Sequence, residues 1–186
     1  RLQECGAVDD AGALDEPGAL DALFARAIWG VLVEPGDSVA GALIAAVGPV
    51  TAARLVIDRV SPATIVDATR GEITTERARE GLLRWTERLR EADIMRSLGS
   101  AARCGASMIV PGDAHWPDRL VALRDSQPVL LWARGDRELL RRPGVAIVGA
   151  RAAITEGPTI EGTEAIANLL VLGSGRVHVE RRANPT

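Results

Sequence analysis

Apolar positions recur at helical spacing in the first half of the chain. The segment 20–32 places its apolar side chains on one helical face, and the sequence EPGD then ends it. Asp37 or Ser38 can cap a second helix, and a third begins after Gly48-Pro49. The strongest helical pattern spans residues 74–99. The expected apolar faces are Leu20, Leu23, Phe24, Ala27, Ile28 and Val31 in the first helix, and Ala78, Leu82, Trp85, Leu89, Ala92 and Met95 in the last.

These helices predict an all-α unit over residues 20–98. The residues before it, 1–19, are acidic, rich in Gly and Ala, and poor in large apolar groups. Such a composition is typical of a flexible leader, because it buries too little apolar surface to offset the entropy of ordering.

After Gly99 the pattern changes to that of an α/β domain. Gly105 can end a short helix, SMIV begins a strand, a loop leads into another helix, and VLLWA forms the next strand. The run VAIV at 145–148, ending in Gly149, is typical of a buried parallel strand followed by a tight turn. We therefore predict an α/β fold over residues 99–186.

The sheet is expected to be incomplete. Only 35 residues follow Arg151, and one βαβ unit takes about 30 residues. The sequence predicts a helix over 161–170 and a strand over 171–180 that contains a Gly-rich turn.

Composition narrows the chemistry. Hydrophobic residues make up 47% and charged residues 25%, as in globular proteins. All 22 basic residues are Arg, and the absence of Lys and Tyr excludes a Walker-type phosphate loop, a Schiff-base lysine and a tyrosine nucleophile. The two cysteines lack metal or redox spacing, which favours a reduced, cytoplasmic compartment. We expect neither a membrane span nor a signal peptide.

Charge is unevenly distributed, although the net charge is only −3. Residues 1–37 carry eight acidic residues against two Arg, a net charge of −6. Residues 119–151 carry seven Arg against three acidic residues, a net charge of +4. A polyanion is therefore expected to meet the later half of the chain.

Residues 108–151 resemble the core of the DNA-processing protein A family (DprA, also called Smf). That family shows a Gly-Asp, an aromatic-Pro followed by Arg-Leu, a Pro-Val-Leu, a Gly-Asp turn, and a strand ending in Gly-any-Arg. The matching residues here are Gly112-Asp113, Trp116-Pro117, Arg119-Leu120, Pro128-Val129-Leu130, Gly135-Asp136 and Gly149-Ala150-Arg151.

The resemblance implies a fold and a function. It implies an N-terminal helical domain of the SAM or helix-hairpin-helix type, followed by a Rossmann-like parallel sheet, here partial. It also implies a bacterial protein that binds single-stranded DNA, acts in natural transformation and DNA recombination, loads a RecA-type recombinase and forms a homodimer. The family is not known as a catalyst, and no cofactor is implied.

The first candidate DNA-binding residues are Gly149, Ala150 and Arg151. A strand ending in Gly149 leaves room for a phosphate near the backbone, the next helix start offers N–H donors, and Arg151 can add a bidentate contact. By resemblance, Arg151 belongs to the family's DNA-binding pocket. The alternative is a surface Arg that follows a buried strand.

A second candidate set is Gly173, Gly175 and Arg176. After Arg151 the sequence departs from the family pattern, since Glu156-Gly157 stands where the family has Tyr-Gly. The Gly-rich turn at 173–176 is either a degraded form of the family's second phosphate loop or a chance hairpin.

A third candidate contact is Gly48, Pro49 and Thr51. Residues 45–56 resemble the second half of a helix-hairpin-helix, in which a Gly turn and the next helix start direct N–H groups at a DNA phosphate. Ala46 stands where the first glycine is expected. The alternative is a purely structural helical hairpin.

Other functions are also open. A nucleotide-binding enzyme of the phosphoribohydrolase type would have a related fold, but it would require a Gly-Gly-Gly-Thr-type loop, which is absent. A truncated, non-functional remnant is a further alternative. A metal site is not expected, because His115 and His178 are far apart in the sequence and lack ligand-spaced partners.

Overall fold

The computed structural model describes residues 18–142 and the backbone of residues 168–172 and 176–180. Five α-helices come first in the described part, followed by short strands and two 3₁₀ segments. The elements are α1 (Ala19–Leu32), α2 (Ser38–Ile57), α3 (Pro62–Ala68), α4 (Thr75–Arg88), α5 (Glu91–Arg103), β1 (Ser107–Ile109), η1 (Asp118–Ser126), β2 (Leu131–Arg134), η2 (Arg137–Arg141), β3 (Asn168–Leu172) and β4 (Arg176–Glu180).

Two tryptophans form the centre of the helical part. Trp29 of α1 and Trp85 of α4 are fully buried, and their rings meet edge to face with centroids 5.3 Å apart. Such a pair adds about 0.5–1.5 kcal/mol beyond the area that it buries. The indole N–H of Trp29 donates to the carbonyl of Pro49 at 3.2 Å, which ties α1 to the middle of α2.

Asp37 connects three elements around this pair. Its Oδ1 atom accepts from the backbone N–H groups of Val39 and Ala40 at 3.1 and 3.2 Å, so Asp37 is the N-cap of α2. Its Oδ2 atom accepts from the indole N–H of Trp85 at 3.0 Å and from the guanidinium of Arg84 at 3.2 Å. The predicted cap is confirmed, and the same carboxylate also holds α4.

These contacts shift the titration of Asp37, whose side chain is only 8% exposed. Burial by itself raises the pKa of the carboxyl group, but the hydrogen bonds from Trp85, the Ala40 N–H and Arg84 outweigh it. The pKa of Asp37 therefore lies below its ordinary value.

Helix α2 is long and apolar enough to cross a membrane by length and composition, with a mean hydropathy of 1.8. The chain therefore does contain an apolar helix of spanning length, although no membrane span is expected from the sequence. Length and composition alone are weak evidence of a membrane span, however, because helices in the core of other proteins share them. Here α2 changes direction at Gly48 and buries side chains such as Leu43 and Val56 in the core.

Two details of the predicted helices are wrong. In the first helix Ala27 and Ile28 are buried as predicted, but Leu20 and Phe24 are exposed, and Trp29, outside the predicted face, is buried instead. The pattern at 74–99 is not one helix, since the backbone leaves helical geometry at Leu89 and α5 begins at Glu91. This break shifts the helical phase, so α5 buries Ile94, Leu98 and Ala101, whereas Ala92 is exposed and Met95 is only partly buried.

The described strands form a mixed sheet in the order β1-β2-β4-β3. Strands β1 and β2 are antiparallel, β2 and β4 are parallel, and β4 and β3 are antiparallel. The expected fully parallel sheet is thus not what the described strands form. Only three residues link β3 to β4, and so short a connection permits only antiparallel pairing. The predicted helix over 161–170 is wrong at 168–170, which lie in β3.

Both faces of the β1–β2 pair are covered. Met108 and Trp132 pack into the main core with the helices, whereas Ile109, Leu131 and Ala133 form a second cluster. We call this second group the small core; Trp116 and Leu140 complete it, and Leu120 and Leu139 pack against it. Burial on both faces is typical of strands in α/β proteins.

The helices contact the chain just before β2 very closely. The half-buried guanidinium of Arg26 donates to the carbonyl of Val129 at 3.0 Å, and burial lowers the pKa of Arg26. A Cβ atom at Gly41 would overlap the backbone carbonyl of Asp125. Two elements far apart in sequence therefore touch backbone to backbone at a residue without a side chain.

The predicted division at residues 98 and 99 falls inside α5, which continues to Arg103. Gly105 follows with φ 62, in agreement with its predicted role in ending a helix. The division into a leader, a helical domain and a Rossmann-like domain remains a prediction.

We predict that Gly41→Ala lowers the free energy of unfolding by about 3 kcal/mol, because a backbone carbonyl cannot move aside as a side chain can. Gly99→Ala in α5 is the matched control, since its Cβ would meet only the mobile end of Arg103, at 3.3 Å. Removing this helical glycine is expected to raise stability by about 0.5–1 kcal/mol. Urea unfolding followed by circular dichroism measures both, and equal effects would contradict the close backbone contact.

We predict that Asp37→Asn lowers the unfolding free energy by about 1–3 kcal/mol at pH 7, because the buried acceptor of Trp85 and Arg84 loses its charge. A carboxyl whose folded pKa is depressed stabilises the fold above its unfolded pKa, of about 3.9, and this contribution is lost as pH falls through the folded pKa. The difference between wild type and variant should therefore shrink between about pH 5 and pH 2. A difference that stays constant in urea titrations across this range would contradict the assignment.

Candidate nucleic-acid interface

Of the first two candidate sets, only Arg176 has a described backbone position. Gly149, Ala150, Arg151, Gly173 and Gly175 lie outside the described residues. Arg176 is the first residue of β4, where its backbone lies opposite Trp132 of β2 and Leu172 of β3. The roles of these residues in DNA binding remain predictions.

The third candidate set lies at the change of direction in α2. Gly48 has φ 79 and ψ 160, a conformation that is essentially restricted to glycine. The carbonyl of Pro49 is occupied by Trp29, whereas Thr51 is exposed. Arg54, one helical turn after Thr51, is also exposed. Arg54 is not among the predicted contacts, although its i, i+3 spacing from Thr51 puts both residues on one side of the helix.

Arginines lie at the carboxyl end of β2. Arg134 is the exposed last residue of this strand, and it pairs in parallel register with His178 of β4. Parallel strands bring their carboxyl ends to one edge of the sheet, which is where open α/β sheets bind their ligands. The next segment, η2, adds Arg141, and exposed Arg142 follows it. We call Arg134, Arg141 and Arg142 the β2-edge arginines.

Arg119 in η1 is also exposed. Its neighbour Leu120 and the neighbour of Arg141, Leu140, both pack in or against the small core. Arg119 and Arg141 are therefore each one residue away from a side chain of the same apolar cluster, although they are distant in sequence.

Ion pairing distinguishes these arginines from several others. Arg79, Arg84, Arg88 and Arg96 each pair with a carboxylate at 2.5–3.2 Å. Within the described part of the chain, the β2-edge arginines, Arg119 and Arg124 form no ion pair with a carboxylate. The predicted excess of positive charge in the later half thus includes guanidinium groups that no described carboxylate neutralises.

Most of the family-like motif residues have structural roles. The carboxylate of Asp113 accepts from the backbone N–H of His115 at 2.8 Å, and that of Asp136 accepts from the backbone N–H of Glu138 at 3.0 Å. Trp116 is 5% exposed and belongs to the small core. The carbonyl of Val129 binds Arg26. These motif residues set turns and packing.

Two of the described groups, Asp37 and Arg26, have clearly shifted pKa values. Asp37 and Arg26 both serve the packing of the helices. His115 Nδ1 lies 3.2 Å from Glu138 Oε1, which joins the loop before η1 to η2. Among the described residues, no group of three His, Cys, Asp or Glu side chains converges as a metal site would require.

The described structure therefore defines a class: a helical unit packed against a small sheet, with exposed arginines at the end of β2 and in the segment that follows, for which the described residues offer no acidic partner. Residues 107–172, about a third of the chain, match the family model of DNA recombination-mediator protein A. The family resemblance inferred from the motifs is confirmed, and it associates the chain with DNA recombination and processing. No curated protein and no solved structure is significantly similar to the chain.

Proposed function

We propose that the chain binds single-stranded DNA during DNA processing, through the β2-edge arginines together with Arg151. The observation that carries this proposal is the exposed Arg134 at the carboxyl end of β2, with Arg141 and Arg142 close by in sequence and no acidic partner among the described residues. A guanidinium group binds phosphate through two parallel N–H donors, so such a surface favours a sugar-phosphate backbone.

The binding should depend on the DNA backbone rather than on base sequence. Single-strand binding proteins usually add aromatic side chains on which bases stack. Here Trp29, Trp85, Trp116 and Trp132 are all buried, and the exposed Phe24 lies in α1 rather than beside β2. Phosphate contacts then supply most of the affinity, which makes binding tolerant of sequence and strongly dependent on salt.

The family relation supports the finer parts of the proposal. We propose that the bound strand is passed to a RecA-type recombinase in the bacterial cytoplasm, that this serves natural transformation, and that the chain acts as a homodimer. The role is one of binding and delivery, which requires no catalytic residue.

We predict that replacing all three β2-edge arginines by Gln weakens binding of labelled oligo-dT in fluorescence anisotropy. Each lost phosphate contact should reduce the slope of log K against log salt by about 0.7, or about 2 for the triple variant. Arg151→Ala should weaken binding further.

The matched control replaces Arg79, Arg88 and Arg96 by Gln, which removes the same charge from α4 and α5 instead of from the β2-edge arginines. This control should leave the salt slope unchanged. An equal loss in both triple variants would show a general charge effect, and a folded wild-type chain that fails to bind would contradict the proposal.

A further inference from the structure

Helix α4 exposes an apolar side chain on its polar side. Its buried face consists of Ala78, Gly81, Leu82 and Trp85. Leu83 points away from that face and is 60% exposed, although most of the helix surface is charged. A single exposed leucine is ordinary on a protein surface, so its meaning depends on its surroundings.

Leu83 lies in a groove between α4 and the connection from α2 to α3. Its apolar lining is formed by Val60, Pro62, Leu82 and Leu83. We call this surface the α4 groove. Its volume is about 250 Å³, below the range of about 300–1,000 Å³ that is typical of small-molecule sites. The groove can therefore seat one or two aliphatic side chains rather than a cofactor.

The polar groups at the groove are cationic. Arg59 and Arg79 line it, and no carboxylate does. Arg79 pairs with Glu76 at 3.0 Å, but both side chains are more than half exposed, and such surface pairs contribute little. Arg59 forms no ion pair with a carboxylate in the part that the structure describes. The hydroxyl of the other polar lining residue, Thr86, donates to the carbonyl of Leu82 at 2.6 Å and is therefore occupied.

This combination favours a protein segment over a nucleic acid. The lining contains no aromatic ring on which a base could stack. Aliphatic side chains with two flanking guanidinium groups complement an amphipathic helix that carries aliphatic anchors and carboxylates.

We propose that the α4 groove binds a short acidic amphipathic helix of a partner protein. An aliphatic anchor of that helix sits against Val60 and Leu83, and its carboxylates meet Arg59 and Arg79. The groove lies in the helical unit, and none of its lining residues belongs to the arginine surface proposed for DNA, so the two proposals can fail independently.

The test uses two labelled synthetic peptides with identical leucine positions at helical spacing. One carries Glu and the other carries Lys at the remaining exposed positions. In fluorescence anisotropy, the wild-type chain should bind the acidic peptide and not the basic one. The double variant Arg59→Glu/Arg79→Glu should reverse this preference, and Leu83→Glu should weaken acidic-peptide binding by about tenfold or more.

Leu123→Glu is the matched control, because Leu123 is a similarly exposed leucine in η1, outside the groove. It should leave peptide binding unchanged, and circular dichroism establishes that each variant is folded. Failure of the acidic peptide to bind, an equal effect of Leu123→Glu, or displacement of the peptide by oligo-dT would overturn the proposal.

Discussion

The hydrogen bonds of one carboxylate, Asp37, hold the helical part of this protein together. Through one oxygen it begins α2, and through the other it binds Trp85 and Arg84 of α4. Trp85 in turn meets Trp29, whose own N–H binds the carbonyl of Pro49. A chain of polar and aromatic contacts thus links α1, both segments of α2, and α4. Its energy depends on keeping the carboxylate ionised where burial opposes ionisation, which the surrounding donors achieve.

The same helices support the family-like part of the chain. Arg26 of α1 binds the carbonyl of Val129, and Gly41 of α2 lies against the backbone of Asp125. Both contacts lie shortly before β2, the strand that ends in Arg134. Because Met108 and Trp132 also enter the main core, the helices and the β1–β2 pair are packed as one body. On this account, the helical unit fixes the position of the arginines proposed to bind DNA, whether or not it contacts DNA itself.

Local sequence patterns predicted the local features well. The cap at Asp37 and the helix end near Gly105 follow from residue type and spacing alone. The contact of Asp37 with Trp85 spans 48 residues, so no local pattern contains it. The helix break at Leu89 is not predicted by sequence, because no Gly or Pro lies near it. The sequences of β1 and β2 also did not predict that these strands are antiparallel, because an apolar run does not specify which strand it pairs with or in which direction. Charge counting indicated the basic half of the chain, but only the structure shows which arginines have carboxylate partners and that an apolar groove lies beside Arg59.

The structure predicts that the helices and the β1–β2 pair form one cooperative unit that depends on Asp37. Native-state hydrogen exchange of the backbone amides tests this most directly, because it gives an opening free energy for each element. We predict that the most protected amides of α2, α4 and β2 open with the same free energy, and that Asp37→Asn lowers all three by the same amount. Amide protection in β2 that is unchanged by Asp37→Asn, while α2 and α4 lose protection, would contradict a single cooperative unit.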